Sequence, residues 1–231
     1  MKVYNQHMPT KYDVSKYERP SVTVDVLLFT IDNEELKILL VKRNEPPYED
    51  SWALPGGFVK MNESLDDAAS RELLEESGVK GLYLEQLYSF GNPKRDPRTR
   101  VITVTYMALA AKTEWKLKSL GDAKGAGFFS INKLPKLAFD HAEIVKYGIQ
   151  RLRNKLGYSN IVLGLLPGTF SLTELQRIYE IILKTSLDKR NFRKKILSTG
   201  LIVASGKKME GIAHRPAMLY CFKNKKVVIT D

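Results

Sequence analysis

The 231-residue sequence predicts an α/β domain over residues 1–157, followed by a small helical unit over residues 158–231. Two observations predict this. β-Branched and apolar strand-like runs alternate with two helical patterns up to Leu156, and composition and charge change near Gly157. Residues 161–231 hold 13 Lys and Arg against 5 Asp and Glu, whereas residues 1–160 hold 24 against 21.

The elements follow in order. Residues 1–19 read as a loose leader. Ser21 to Ile31 is β-branched and apolar, hence a strand. Asp32 to Glu35 reads as a turn, and Leu36 to Lys42 returns as the second arm of a hairpin. Trp52 to Val59 is a short glycine-broken segment. Ser64 to Ser77 reads as a helix, with Ser64 as cap, Asp66 and Asp67 favourable in the first turn, and Gly78 as stop. Leu82 to Phe90 and Val101 to Ala111 are expected strands around a basic, proline-broken loop. Gly127 to Ile131 is a further short strand. Asp140 to Leu156 is a helix with Ile144, Val145, Ile149 and Leu152 on one stripe. Gly164 to Gly168 reads as a linker. Ser171 to Glu174 is a capping-box pattern opening a helix with Leu175, Ile178, Tyr179 and Ile182 buried. Asp188 caps a second helix, Lys189 to Ser198. Leu201 to Ala204 and Ala217 to Phe222 are two strands around a basic loop. Helix, turn, basic helix, hairpin is the order of a winged helix-turn-helix.

Composition excludes several classes. No run of about 18 apolar residues exists, so no membrane span is expected. Met1 to Tyr17 lacks an apolar signal core, so a cytoplasmic protein is expected. One cysteine, Cys221, excludes an internal disulfide, and with three histidines is too few for a Cys/His zinc site. The net charge of +11, concentrated toward the C-terminus, points to a polyanion such as nucleic acid or to a solvated basic face.

The most specific chemistry lies in the first helix. Glu72, Glu75 and Glu76 stand three and four residues apart, which places them on one helical face. Clustered carboxylates repel unless a cation sits among them, and oxygen ligands suit Mg²⁺ or Mn²⁺, which favours a phosphorylated substrate. Three glutamates alone are more often an exposed acidic face. The longer string runs from Gly57 through Glu63 to Arg71-Glu72-Leu73, Glu75-Glu76 and Gly78-Val79. It meets nine specified positions across 23 residues. It resembles the Nudix box. That resemblance implies an α/β/α sandwich with a mixed sheet and cleavage of a nucleoside diphosphate linked to another group. Glu72 and Glu76 are then the main metal ligands, with Glu75 and the Gly56 carbonyl supporting. Arg71 orients a glutamate, and Glu63 braces the loop.

The loop from Phe90 to Arg98 resembles a segment of ADP-ribose pyrophosphatases, so ADP-ribose is the expected ligand, with Arg95 and Arg98 gripping phosphate or ribose oxygens. The general base is left open between Asp122 and Glu114. Ala138 to Glu143 also resembles this branch. Asp140 is expected to cap the helix, with His141 packed nearby rather than catalytic.

In the second unit, Lys189, Arg190, Asn191, Arg193 and Lys194 are expected to meet double-stranded DNA, with Asn191 able to read adenine and Lys207, Lys208 and Arg215 reaching backbone phosphate from the wing. The whole chain resembles the Nudix-related transcriptional regulators, some of which carry a degraded box, whereas this box is intact. Two readings follow. The first, which leads because the metal motif is the more specific signal, is a Mg²⁺-dependent ADP-ribose hydrolase with a DNA-binding tail. The other is a ligand-responsive regulator with little or no hydrolysis. A homodimer is expected in either, because paired half-sites need two recognition helices.

Overall fold

The computed structural model describes residues 13–111, 117, 123–209 and 216–229. Strands β1 (Ser21–Asp32) and β2 (Glu35–Lys42) form an antiparallel hairpin. Its turn residues Asn33 and Glu34 both take positive φ, which matches the right-handed twist of the flanking strands. β3 (Trp52–Ala53) and β4 (Gly56–Phe58) precede helix α1 (Leu65–Ser77). Strands β5 (Glu85–Phe90), β6 (Val101–Leu109) and β7 (Gly125–Ser130) then lead to helix α2 (His141–Lys155). The sheet order is β3-β2-β1-β6-β5, with β4 added on β1 and β7 on β2. Among the described strand pairs β1–β6 is parallel and the others antiparallel, so the sheet is mixed.

β1 shows why the sheet is a middle layer. Residues 23–30 are all buried, as expected of a strand covered on both faces. Val24, Val26 and Leu28 pack with Ala68, Ala69 and Leu73 of α1. The alternate residues Leu27 and Phe29 pack with Ile144, Val145 and Leu152 of α2. This is the α/β/α sandwich. Asp25 shares parity with Leu27 and therefore points to the α2 side.

The caps follow the local sequence. Ser64 accepts the Asp67 N–H, and Gly78 closes α1 in the left-handed region, its N–H donating to Leu74 O. The strand expected from Leu82 begins at Glu85. Trp52 to Val59 is interrupted between Ala53 and Gly56, at Pro55.

The second unit contains β8 (Phe170–Ser171), α3 (Leu172–Leu183), α4 (Lys189–Ser198), β9 (Ile202–Lys208) and β10 (Met218–Phe222). Its sheet order is β8-β10-β9, which gives a winged helix. The Ser171–Glu174 capping box is complete, and Asp188 caps α4 through the Asn191 N–H. Arg215 of the expected wing lies outside the described residues.

The segment expected to be a linker, Gly164 to Gly168, is exposed at Gly164, Pro167 and Gly168, but a packed turn leads into it. Ile161–Leu165 forms a 3-10 turn whose Ile161, Val162 and Leu165 are buried. A Cβ on Gly164 would overlap the Leu109 carbonyl of β6, so only glycine fits that approach. The two units share one apolar cluster running from Leu27 through Val162 to Phe192 and Ile202. Arg153 of α2 donates to the Ile182 carbonyl at the end of α3 (3.0 Å), and Arg177 of α3 pairs with Glu34 in the β1–β2 turn (2.6 Å). Among the described residues no helix is long and apolar enough to cross a membrane.

Candidate functional site

A cleft of about 300 Å³ opens at one end of the sandwich, where α1, β1, the β3–β4 segment, the Arg95 loop and the start of α2 meet. Glu72, Glu76, Asp25, Arg43, Arg95 and Arg98 are among its lining residues.

Arg71 is the pin of the glutamate helix. Its guanidinium donates to Glu63 (2.9 and 2.6 Å), to Glu72 (2.6 Å), to Glu75 (3.1 Å) and to the Phe58 carbonyl (3.2 Å). The bonds from Arg71, with the Lys60 N–H, hold Glu63 down at about 2, and the Glu63 bond raises Arg71 in turn. Glu63 therefore braces the loop before the helix. Burial raises Glu72, against the pull of Arg71. Glu76 is pushed up to about 8, first by burial and then by the charges of Glu72 and Asp25, against one bond from the Gly56 N–H (2.8 Å).

The expected convergence of three glutamates is corrected in one respect. Glu72 and Glu76 face the cleft, but the Glu75 side chain is 46% exposed, rests on Arg71, and does not line the cleft. Spacing of three and four residues spans an arc, and burial beside the sheet selects one edge of it. Gly56 and Gly57 are required by contact. A Cβ on Gly57 would overlap the Glu72 carboxylate, and one on Gly56 would overlap the Val24 carbonyl and stand 2.7 Å from Asp25 Oδ1.

The two loop arginines differ. Arg95 is buried, with its fork on Asp140 (2.9 and 2.8 Å) and Nη2 3.5 Å from Asp25. Arg98 is bonded to Asp96 (3.0 and 2.8 Å) and lies over the rings of Phe58 (5.3 Å) and Phe139 (5.7 Å) at the cleft mouth. Arg43 lies over Phe139 at 4.8 Å, and Phe139 holds a positive φ of 51°. For a residue with a Cβ this conformation is uncommon and concentrates at functional sites. Asp140 makes no side-chain cap bond, contrary to expectation, because its carboxylate is engaged by Arg95. His141 is buried as expected, and burial keeps it below its usual range. Its Nδ1 accepts the Leu54 N–H at 2.9 Å, so the proton lies on Nε2, 3.4 Å from Asp25 Oδ1. Asp122 and Glu114, the candidate bases, lie outside the described residues.

Sequence reasoning missed Asp25, Arg43 and Phe139. Asp25 had a signal, a lone acid inside an apolar strand, which is costly unless it has partners. Phe139 lay inside the Ala138 to Glu143 resemblance without being singled out, and Arg43 had no signal.

On the second unit, Phe192 and Ile196 of α4 are buried, while Lys189, Arg190, Asn191, Arg193 and Lys194 are exposed, as are Lys207 and Lys208 of β9. The four-residue spacing of Phe192 and Ile196 therefore separates an apolar inner face from a basic outer one.

Comparison with known proteins agrees with both units. The NUDIX domain family matches residues 20–148, and the NrtR DNA-binding winged helix domain matches residues 162–222. The "ADPR responsive transcriptional repressor NtrR" of Acinetobacter baylyi is 39% identical over 217 residues, covering 92% of this chain and 86% of the relative. The ADP-ribose pyrophosphatase of Methanocaldococcus jannaschii is 40% identical over 148 residues, or 63% of this chain and 84% of that enzyme. The crystal structure of Shewanella oneidensis NrtR complexed with a 27mer DNA is 35% identical with a TM-score of 0.75, covering 87% of this chain and 93% of that one.

Proposed function

The chain belongs to the Nudix family and ends in a winged helix domain of the NrtR type, and from that premise we propose that it is an ADP-ribose-responsive DNA-binding regulator. The observation that carries this is a relative similar over nearly the full length of both chains and described as an ADPR-responsive repressor. The sequence ranks hydrolysis ahead of regulation, and this full-length likeness moves regulation first.

In this reading the cleft holds the diphosphate of ADP-ribose. Arg43 and Arg98 present positive charge at its mouth, flanked by the Phe58 and Phe139 rings. Arg95, committed to Asp140 and Asp25, shapes the floor. A divalent cation, Mg²⁺ or Mn²⁺, fits the donor set. Among the described residues no three His, Cys, Asp or Glu side chains form a ready cage. However, Mg²⁺ retains waters and takes phosphate oxygens, so the Glu72 and Glu76 carboxylates with the Gly56 carbonyl suffice. Glu76, a buried acid beside two others, is the group such a cation would relieve. When bound, the cation would neutralise the diphosphate charge. Arg71 keeps Glu72 and Glu63 in place, and the Gly56 N–H orients Glu76.

DNA is met by the exposed side of α4, through Lys189, Arg190, Asn191, Arg193 and Lys194, with Lys207 and Lys208 on the wing. A homodimer presents two such helices to paired half-sites. ADP-ribose acts only if it binds the free and DNA-bound forms with different affinity.

A second reading, slow hydrolysis of ADP-ribose by the same site, is favoured by one observation: every specified position of the box is present, including Glu72 and Glu76. Fluorescence anisotropy with DNA from upstream of the chain's own gene tests the first reading. ADP-ribose with Mg²⁺ is expected to change the apparent affinity at least several-fold, and an unchanged titration with bound ADP-ribose confirmed by calorimetry would refute it. Appearance of AMP and ribose 5-phosphate, abolished by Glu76→Gln, establishes the second.

A further inference from the structure

The side chain of His141 adds a tie between Asp25 and Leu54 beside the backbone pairing of Asp25 with Gly56. It opens α2, 4% exposed, on the side of the sheet to which Asp25 points. Thr103 Oγ donates to Asp25 Oδ2 at 2.6 Å, and Arg95 Nη2 lies 3.5 Å from the same oxygen. Oδ1 is left facing the His141 Nε2–H at 3.4 Å. On the opposite edge of the ring, Nδ1 receives the Leu54 N–H at 2.9 Å. Leu54 precedes Pro55 and Gly56. The Pro55 carbonyl is bonded by Val26 N–H (2.8 Å), and the Gly56 N–H holds Glu76 Oε2 (2.8 Å). A chain of contacts thus runs from Thr103 and Asp25 through the imidazole to Leu54, and from there along two residues of backbone to Glu76.

We propose that His141 is a positioning residue for the cation-binding end of the cleft: a strut that, beside the β1–β4 backbone pairing, holds Leu54 through Nδ1 and so fixes both the Gly56 carbonyl and the Glu76 carboxylate. The proposal rests on the Nudix-site reading above. Two features distinguish a strut from a packed core histidine. Both ring nitrogens face specific partners, one a donor and one an acceptor, on two different elements. The element held through Nδ1 is also the glycine segment, where Gly56 and Gly57 have no room for a side chain and small displacements are transmitted directly to Glu76 and Glu72. Such outer partners orient groups that touch a metal without touching it themselves.

The test measures Mn²⁺ uptake by full-length protein, using electron paramagnetic resonance without nucleotide, beside ADP-ribose binding and melting temperature. His141→Phe keeps the ring and removes both nitrogens. His141→Gln keeps a polar group but carries its amide past the Nδ1 position. His141→Asn puts an amide oxygen at the position of Nδ1, where it accepts the Leu54 N–H. The Phe and Gln variants are expected to lose Mn²⁺ affinity by about 10- to 100-fold, and the Asn variant to recover most of it. If hydrolysis is measurable, kcat is expected to fall with little change in KM. Should the Phe variant not fold, the Gln and Asn pair carries the comparison. Variants that melt lower but take up Mn²⁺ as the wild type does would reduce His141 to a core residue and overturn the proposal. Wild-type protein taking up no Mn²⁺, with or without ADP-ribose, would instead refute the site reading, and the strut with it.

Discussion

Gly56 and Gly57 are both tight, but against different neighbours. A methyl group on Gly57 overlaps the far end of the Glu72 side chain, whereas one on Gly56 overlaps the backbone carbonyl of Val24. A carboxylate can rotate away, but a paired strand cannot. Gly57→Ala is therefore expected to melt close to wild type while displacing Glu72 and lowering Mn²⁺ uptake at least about 10-fold. Gly56→Ala is expected to cost about 1–3 kcal/mol of stability. Thermal melts beside Mn²⁺ titration check both, and equal stability losses in the two would contradict the geometry. At this scale the pattern of glutamates was legible because helix periodicity is a local property. The separate behaviour of Glu75 was not, because which edge of the arc faces the cleft depends on how α1 rolls against the sheet.

At the scale of the element, α4 divides its labour by periodicity. Phe192 and Ile196 anchor it, and the Asp188 cap satisfies its first turn, with the Asn191 N–H donating at 2.8 Å. The basic residues are left outward. If Arg190 and Arg193 each neutralise one phosphate, the double variant Arg190→Ala with Arg193→Ala loses DNA affinity, and its plot of log affinity against log salt becomes shallower by about 2. ADP-ribose binding is expected to be unchanged in that variant. An unaltered salt slope in anisotropy titrations would remove α4 from the interface. α2 shows the limit of local rules. Asp140 stands at a capping position and does not cap, because Arg95, 45 residues away, offers two charge-assisted bonds.

The whole molecule is more tightly joined than its change in composition suggests. The 3-10 turn at Ile161–Leu165 buries Val162 and Leu165 in the same apolar cluster that contains α2 and α3. Leu165→Ala is expected to destabilise by about 2–5 kcal/mol and to lower the melting of both units together. Calorimetry checks this, since two independent transitions would show that the shared core does not couple them. The Arg177–Glu34 pair is exposed and screened by solvent, so it adds little to stability. Its interest is position: β2 leads from that turn to Arg43 at the cleft mouth, so one strand touches both the winged helix and the ligand site.

Element order, the caps of α1, α3 and α4, the glutamate spacing and the basic face of α4 were determined by the sequence alone. Each depends on residues within a few turns or alternations of one another, where backbone geometry is nearly fixed. The tertiary structure decided the rest. Sheet order brought Asp25, Arg95, Asp140 and His141 together from three distant segments, and packing buried Leu165 of the expected linker in the apolar cluster that the two units share. A buried charge takes its partners from whatever the fold places beside it, and no local pattern encodes that choice.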